Sequence, residues 1–211
     1  MKGQFLPYKD ENVSRSFPLV TNVLIAINII AFLFSLTDFE NIIFSYGFIP
    51  AEFALLTLLT SMFLHGGLDH IFGNMLYLHI YGDNVEDRLG KIPYIAFYLL
   101  AGLAAALVHY ATGPSSAVPT IGASGAISGV LGAYLVLFPR VRVRTLVGFG
   151  QTVVLPAWTL IGFWFFLQLI FGSISLMGGT GSGIAFWAHI GGFAFGFVIA
   201  RLFRNKLMPN P

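Results

Sequence analysis

The sequence predicts an all-α fold, that of a polytopic membrane protein whose chain crosses the bilayer six times. Of its 211 residues, 56% are hydrophobic and only 9% are charged, whereas soluble domains carry about 25% charged residues. A transmembrane helix needs about 20 mostly apolar residues, and several stretches of the chain approach that length. They are residues 18–36, 69–85, 92–111, 119–138, 153–171 and 184–203.

The first apolar stretch is expected to be a retained span. It is longer than the core of a signal peptide, which has about 7–15 residues, and no A-x-A-like cleavage site follows it. The connection after it, 37–68, is long and largely apolar, which predicts a folded element at the membrane interface. We therefore expect an N-terminal tail (1–17), a six-helix domain (18–203) and a C-terminal tail (204–211).

The basic residues predict the orientation of the chain. All 11 Lys and Arg lie in the N-terminal tail, the second-to-third and fourth-to-fifth connections, and the C-terminal end. The positive-inside rule then places both termini in the cytoplasm. This partition accounts for the pI near 9.0 and leaves no basic patch for nucleic acid. Without an evident targeting presequence, we expect a multi-pass protein of a prokaryotic plasma (inner) membrane, surrounded by lipid bilayer.

Four polar side chains are expected at one depth below the outer face. The second, fourth and sixth stretches run inwards from that face in the predicted topology. Ser124 and His189 lie about five residues into the fourth and sixth stretches, or about 8 Å. His70 and Asn74 occupy the first two turns of the second. Because ionisable residues inside a membrane are costly, such a layer points to function.

Small residues would let these helices approach closely. Gly125 follows Ser124, while Gly192 and Gly196 share a helical face with His189 at i+3 and i+7. Small residues are typical of tight helix contacts in membranes, so docking there would bring Ser124 Oγ to a His189 ring nitrogen. Histidine is the usual base for a serine nucleophile. No carboxylate is expected at this depth and cysteine is absent, so we predict a Ser–His dyad.

Structural roles compete with these assignments. A serine in a transmembrane helix usually bonds the carbonyl four residues earlier, and His70 and Asn74 could bond backbone at a helix start. If the site is catalytic, Asn74, His70 and the backbone N–H of Ser124 are candidate donors to an oxyanion. Structural roles are expected for Ser128, His65, His79, His109, Glu86 and Arg88.

At these residues the sequence resembles the rhomboid family of intramembrane serine proteases. The matching motifs are GASG (122–125), AHIGGFAFG (188–196), HGGLDHIFGN (65–74) and DNVEDRLG (83–90). They occur in the family's order and cover about residues 60–200. Each motif alone is weak, whereas the ordered set is specific.

The resemblance implies a six-helix rhomboid-like bundle in which Ser124 is the nucleophile and His189 the general base. It also implies an oxyanion hole from Asn74, His70 and backbone amides near Ser124. The implied substrates are single-span membrane proteins, cut in or near their span without a metal or organic cofactor. The oligomeric state, the substrate and the cleavage-site preference are left open.

The resemblance further implies that the fifth helix (153–171) and the Gly-rich segment after it (172–183) gate lateral access. The sequence departs from the family at two places. Some members have an aromatic residue where this chain has Ser128, and many have a Trp-Arg pair near the position of Leu56 and Thr57. These departures concern the contact to the catalytic histidine and the anchoring of the first loop.

Other classes of membrane protein fit the sequence less well. An intramembrane metalloprotease would need an HExxH-type ligand set, and the chain has no such string. A transporter is disfavoured because there is no paired repeat and the polar layer lies near one face. The remaining alternative is a catalytically inactive rhomboid-like protein that binds membrane-protein clients, although Ser124 and His189 are both present.

Overall fold

The computed structural model describes residues 6–12, 14–148, 150–178 and 183–208. These residues form eight α-helices and a small antiparallel sheet. In chain order the helices are α1 (Leu19–Ser35), α2 (Phe39–Tyr46), α3 (Leu55–Thr60), α4 (Leu68–Leu89), α5 (Lys91–Thr112), α6 (Ser124–Leu137), α7 (Ala157–Leu176) and α8 (Phe186–Leu207). The strands are β1 (Leu6–Asp10), β2 (Arg142–Val147) and β3 (Gln151–Pro156).

Each predicted membrane stretch overlaps one helix of 14 to 22 residues, but two of these helices begin at least four residues later than predicted. Gly122 has a φ of +126°, a conformation that side chains with a Cβ rarely adopt, so the helix cannot extend back through it. Ser124 is therefore the first residue of α6, and not five residues inside a helix. Residues 153–156 belong to β3, because they pair with β2.

Length and composition alone support fewer crossings than predicted. Within the described residues, three helices (α5, α7 and α8) are long and apolar enough to cross a membrane. A fourth is counted if α4 and the preceding segment Leu55–Phe63, bent by 88°, form one span. With 14 residues, α6 is about 21 Å long, shorter than a hydrocarbon core of about 30 Å. The protein is thus a multi-pass helical membrane protein, and six crossings remain a prediction.

The predicted folded connection after α1 is occupied by short elements. It contains α2, α3 and 3₁₀ turns at Pro50–Glu52 and Ser61–Phe63. Phe48 and Thr120 exchange backbone hydrogen bonds of 3.1 and 2.8 Å. The backbone N–H of Gly122 also donates to the Ser61 carbonyl at 2.9 Å. The connection is thereby fixed beside the beginning of α6, while its place at a membrane interface remains a prediction.

The sheet makes the all-α prediction incomplete. Strand β2 pairs antiparallel with β1 on one side and β3 on the other. Strand β1 lies in the predicted N-terminal tail and has only five residues, one of them Pro7. Its pairing partner lies more than 130 residues away (Leu6 with Leu146). A short strand with a distant partner leaves little local signal in the sequence.

Helix α6 lies at the centre of the bundle and α7 at its edge. Twelve of the 14 residues of α6 are buried, against four of the 20 residues of α7. Helices α6 and α8 are parallel and in close contact. A Cβ built on Gly192 would collide with the Gly125 carbonyl oxygen, and one on Gly196 with that of Gly129. The small residues therefore set the distance between the two helices that carry the polar layer.

Candidate active site

Ser124 and His189 meet at the beginnings of α6 and α8. Ser124 Oγ lies 2.9 Å from His189 Nε2, and both residues are half-buried. This contact follows from the parallel packing of the two helices. Their backbones come close where Gly125 meets Gly192, one residue from Ser124 and three residues from His189. Tertiary packing thus brings a hydroxyl and an imidazole into hydrogen-bond geometry.

The other nitrogen of the same ring contacts Gln168 on α7. His189 Nδ1 lies 2.8 Å from Gln168 Oε1. A carbonyl oxygen of an amide only accepts hydrogen bonds, so Nδ1 carries the proton and donates it. In the neutral ring Nε2 is then an acceptor, and the Ser124 hydroxyl donates to it. The three side chains form one directional chain of hydrogen bonds.

Sequence analysis missed Gln168. The signal was present, because Gln168 is an amide within the otherwise apolar run FWFFLQLIF (163–171). Polar residues in membrane helices tend to face the bundle interior and hydrogen-bond across helices. What the sequence did not show is which helix α7 faces. The ring of Trp164, one turn before Gln168, also contacts the imidazole, with centroids 5.8 Å apart.

The predicted oxyanion donors lie on α4, next to the backbone that leads into Ser124. The Gly66 backbone N–H donates to His70 Nδ1 at 3.2 Å, so the proton of the neutral His70 ring is on Nε2. A Cβ built on Gly122 would lie 2.9 Å from His70 Nε2 and 3.6 Å from Ser124 Oγ. His70 and Ser124 therefore border the same small space.

Asn74 has a local partner. Its side-chain amide donates to the His70 backbone carbonyl at 2.8 Å, as expected from the structural alternative for this residue. The amide carries two protons, so this bond leaves one donor. Asn74 is buried, one turn below His70 on α4.

The two departures from the family pattern have simple local structures. Ser128 Oγ donates to the Ser124 carbonyl at 2.6 Å, the within-helix bond expected for a structural serine. The aromatic contact to His189 comes from Trp164 on α7. Leu56 is exposed and Thr57 Oγ1 donates to the Ala54 carbonyl at 2.9 Å.

Other residues for which structural roles are predicted make local contacts of their own. His65 is fully buried with its ring 5.1 Å from that of His70, and His109 Nε2 lies 2.9 Å from Thr120 Oγ1. Glu86 accepts three hydrogen bonds from the first turn of α1. Arg88 lies 5.5 Å from the centre of the Phe138 ring.

The predicted gating segment is only partly described. Helix α7 extends through Leu176, five residues beyond the predicted stretch. Residues 179–182, near the end of the Gly-rich segment 172–183, lie outside the described residues.

The fold and this contact define a class: multi-pass helical membrane proteins that hold a serine against a histidine inside the bundle. The sequence model of the Rhomboid domain matches residues 52–206, which is most of the chain. The chain belongs to the rhomboid family.

Individual relatives agree with this membership. The provisionally named rhomboid protease YdcA of Bacillus subtilis (strain 168) is 28% identical over 200 residues, covering 91% of this chain and 92% of that protein. Rhomboid protease GluP of the same organism is 32% identical over 143 residues, 68% of this chain and 25% of GluP. RHOMBOID-like protein 1 of Arabidopsis thaliana is 31% identical over 149 residues, 69% of this chain and 34% of that protein. The chain thus spans only a quarter to a third of the last two proteins.

Proposed function

We propose that this protein is an intramembrane serine endopeptidase with Ser124 as nucleophile and His189 as general base. The observation that carries the proposal is the 2.9 Å contact between Ser124 Oγ and His189 Nε2. Membership of the rhomboid family supports it, as do the names of YdcA and GluP as proteases.

The reaction follows from the direction of the hydrogen bonds. As Ser124 Oγ attacks the substrate carbonyl carbon, its proton moves to His189 Nε2. His189 then gives this proton to the leaving amine nitrogen, and the C–N bond breaks to leave an acyl-enzyme. Water then attacks the ester carbon while His189 takes one of its protons. His189 gives this proton to Ser124 Oγ as the ester C–O bond breaks, and the released carboxylic acid ionises to a carboxylate. The reaction as written needs no metal ion or organic cofactor.

The oxyanion would be held by donors on two helices. Ser124 is the first residue of α6, so its backbone N–H has no acceptor within its own helix and lies at the positive end of the helix dipole. His70 Nε2–H borders the same space, and Asn74 has a second amide proton to offer. Each well-placed donor to a developing oxyanion is worth about 3–4 kcal/mol.

The substrates we propose are single-span membrane proteins, cut in or near their span. In the proposed topology the six long helices all cross the bilayer, with both termini in the cytoplasm and the site open to the outer face of a prokaryotic plasma membrane. The basic residues Arg142 and Arg144 lie on β2, beyond the opposite end of α6 from Ser124. Water for deacylation would come from the outer side.

The test compares two serines on one helix. Purified wild-type protein, Ser124→Ala and Ser128→Ala are each incubated in detergent with a model single-span substrate and, separately, with a fluorophosphonate probe. Ser128 is the matched control because its hydroxyl donates to the Ser124 backbone carbonyl, within its own helix. We expect Ser124→Ala to lose at least about 10³-fold in turnover and all labelling. Ser128→Ala should keep both within a few-fold, and His189→Ala should behave like Ser124→Ala.

Two outcomes would overturn the proposal. Wild-type turnover by Ser124→Ala or His189→Ala would exclude the dyad. A folded wild type that neither cleaves nor labels would instead favour the inactive, client-binding alternative.

A further inference from the structure

Gln168 is the polar member of the buried face of α7. Four residues of this helix are buried: Ala157, Ile161, Gln168 and Gly172. Their spacing of four, seven and four residues forms one stripe, on which Gln168 and Gly172 both contact α8. Gln168 is only 8% exposed, and a buried amide without a partner would cost about 1–3 kcal/mol. Its carbonyl oxygen meets that requirement through His189 Nδ1, at 2.8 Å.

The neighbours of Gln168 on both sides fix this contact. One turn earlier, the Trp164 ring lies 5.8 Å from the imidazole. One turn later, the Gly172 carbonyl accepts a hydrogen bond of 3.0 Å from the indole of Trp187 on α8. Phe165 also stacks on Phe193, with ring centroids 4.0 Å apart. These contacts set the register of α7 along α8, so the Gln168 carbonyl is already in place when substrate arrives.

We propose that Gln168 is a positioning residue for the general base, acting through His189 without touching the substrate. The inference rests on the proposed function. Its amide oxygen selects the ring tautomer with the proton on Nδ1 and turns the Nε2 lone pair towards Ser124 Oγ. Without this acceptor the ring is free to place its proton on Nε2, and that tautomer cannot accept the serine proton.

The amide occupies the place that a carboxylate has in a Ser–His–Asp triad. A carboxylate orients the imidazole and also stabilises the imidazolium that forms during the reaction. A neutral amide supplies the orientation but much less of the charge stabilisation. Removing the acceptor at position 168 should therefore lower kcat. Replacing the neutral amide with a carboxylate should instead shift the dependence of kcat on pH.

The experiment measures kcat and KM against pH for wild type, Gln168→Leu and Gln168→Glu, with the model single-span substrate. Leu has a similar volume and no acceptor, whereas Glu keeps an acceptor oxygen and adds charge. Ile161→Val is the matched control, since it trims the same buried stripe two turns away from the imidazole contact. Thermal unfolding of each variant is recorded in the same detergent.

For Gln168→Leu we expect kcat to fall about 10- to 100-fold, the loss found when the hydrogen-bond partner that orients a metal-ligating histidine is removed. KM should change less than about two-fold, because Gln168 makes no contact with the substrate and its loss does not weaken substrate binding. Gln168→Glu should recover most of kcat and move the acid limb of the kcat profile to higher pH, because the carboxylate favours the imidazolium. Ile161→Val should leave kcat and the pH profile as in wild type.

The inference is overturned if wild type cleaves and Gln168→Leu matches it in kcat and pH profile. It is also overturned if Gln168→Leu and Ile161→Val lose kcat and thermal stability in parallel, because that pattern reports packing alone. Failure of the proposed function gives a different result, since wild type itself would then neither cleave nor label.

Discussion

The two ends of α6 both bury polar side chains, but in different arrangements. At the sheet end, beside β1, Asp10 accepts hydrogen bonds from Tyr134 and from Asn84. Glu86, nearby on α4, accepts two backbone N–H groups and one hydroxyl, all from the first turn of α1. At the site end, Ser124 begins a single chain of neutral groups that runs through His189.

The two ends differ in the number of hydrogen bonds that each acceptor receives. The carboxylates at the sheet end receive several, whereas the His189 ring nitrogen at the site end receives one. A carboxylate that accepts two or three hydrogen bonds holds its donors in place. In the proposed function, a hydroxyl that donates to an imidazole has its general base already beside it. We therefore expect the sheet end to determine the stability of the bundle, and the site end to determine its chemistry.

Among variants that compare the two ends without removing the dyad, the largest effect is expected from Gly122→Ala, which alters the site end alone. The new methyl group would lie 2.9 Å from His70 Nε2 and 3.6 Å from Ser124 Oγ, at a φ of +126°. We expect turnover to fall about 100-fold, because small displacements of reacting groups have effects of that size. The control is Gly150→Ala, which has a φ of +91° and open space around the added Cβ. Equal losses in both variants would mean that backbone strain, and not occupation of the site, is responsible.

A smaller effect, on stability instead of turnover, is expected from Glu86→Ala at the sheet end. The substitution leaves two buried backbone N–H groups and the Thr21 hydroxyl without their acceptor. We expect the free energy of unfolding to fall by about 2 kcal/mol, with turnover per folded molecule unchanged. Asp87→Ala, which removes exposed hydrogen bonds to Ser16 and its neighbour Arg15, should cost less than half as much. A selective loss of turnover in Glu86→Ala would show that the two ends are coupled.

The smallest effect is expected from Asp10→Asn, and it depends on pH. Burial raises the pKa of the Asp10 carboxyl above its ordinary value of 3.8, against the opposing effect of the hydrogen bond from Tyr134. The folded state therefore binds this proton more tightly than the unfolded state. Stability from this group is present below pH 3.8 and is lost as pH rises through the raised pKa.

Asparagine does not titrate, so the variant should lack this contribution to the pH dependence. The measurement is the apparent melting temperature of both proteins between pH 3.5 and pH 7, in a single detergent. We expect the wild type to lose stability relative to Asp10→Asn as the pH rises. Parallel curves would show that Asp10 does not change its protonation on folding.

Much of the helical architecture is present in local sequence. The long apolar stretches predict where the six long helices lie, because burial in lipid requires apolar side chains over a fixed length. The small residues of GASG and AHIGG predict which helices approach closely, because only glycine lets backbones come this near. Ser124, His189, His70 and Asn74 were found because polar groups in apolar helices are rare. The beginning of α6 was misplaced because hydropathy does not report backbone conformation at Gly122.

Tertiary structure alone decided which groups meet. Gln168 and His189 are 21 residues apart on different helices, and no local pattern states that α7 turns this amide towards that ring. The pairing of β1 with β2 likewise joins segments whose separation in the chain exceeds 130 residues, as for Leu6 and Leu146. The sequence by itself determined the helices and the rare polar groups, since these follow from each residue's own solvation. Which of these groups contact each other was decided only by tertiary packing, because such contacts depend on the shapes of several helices at once.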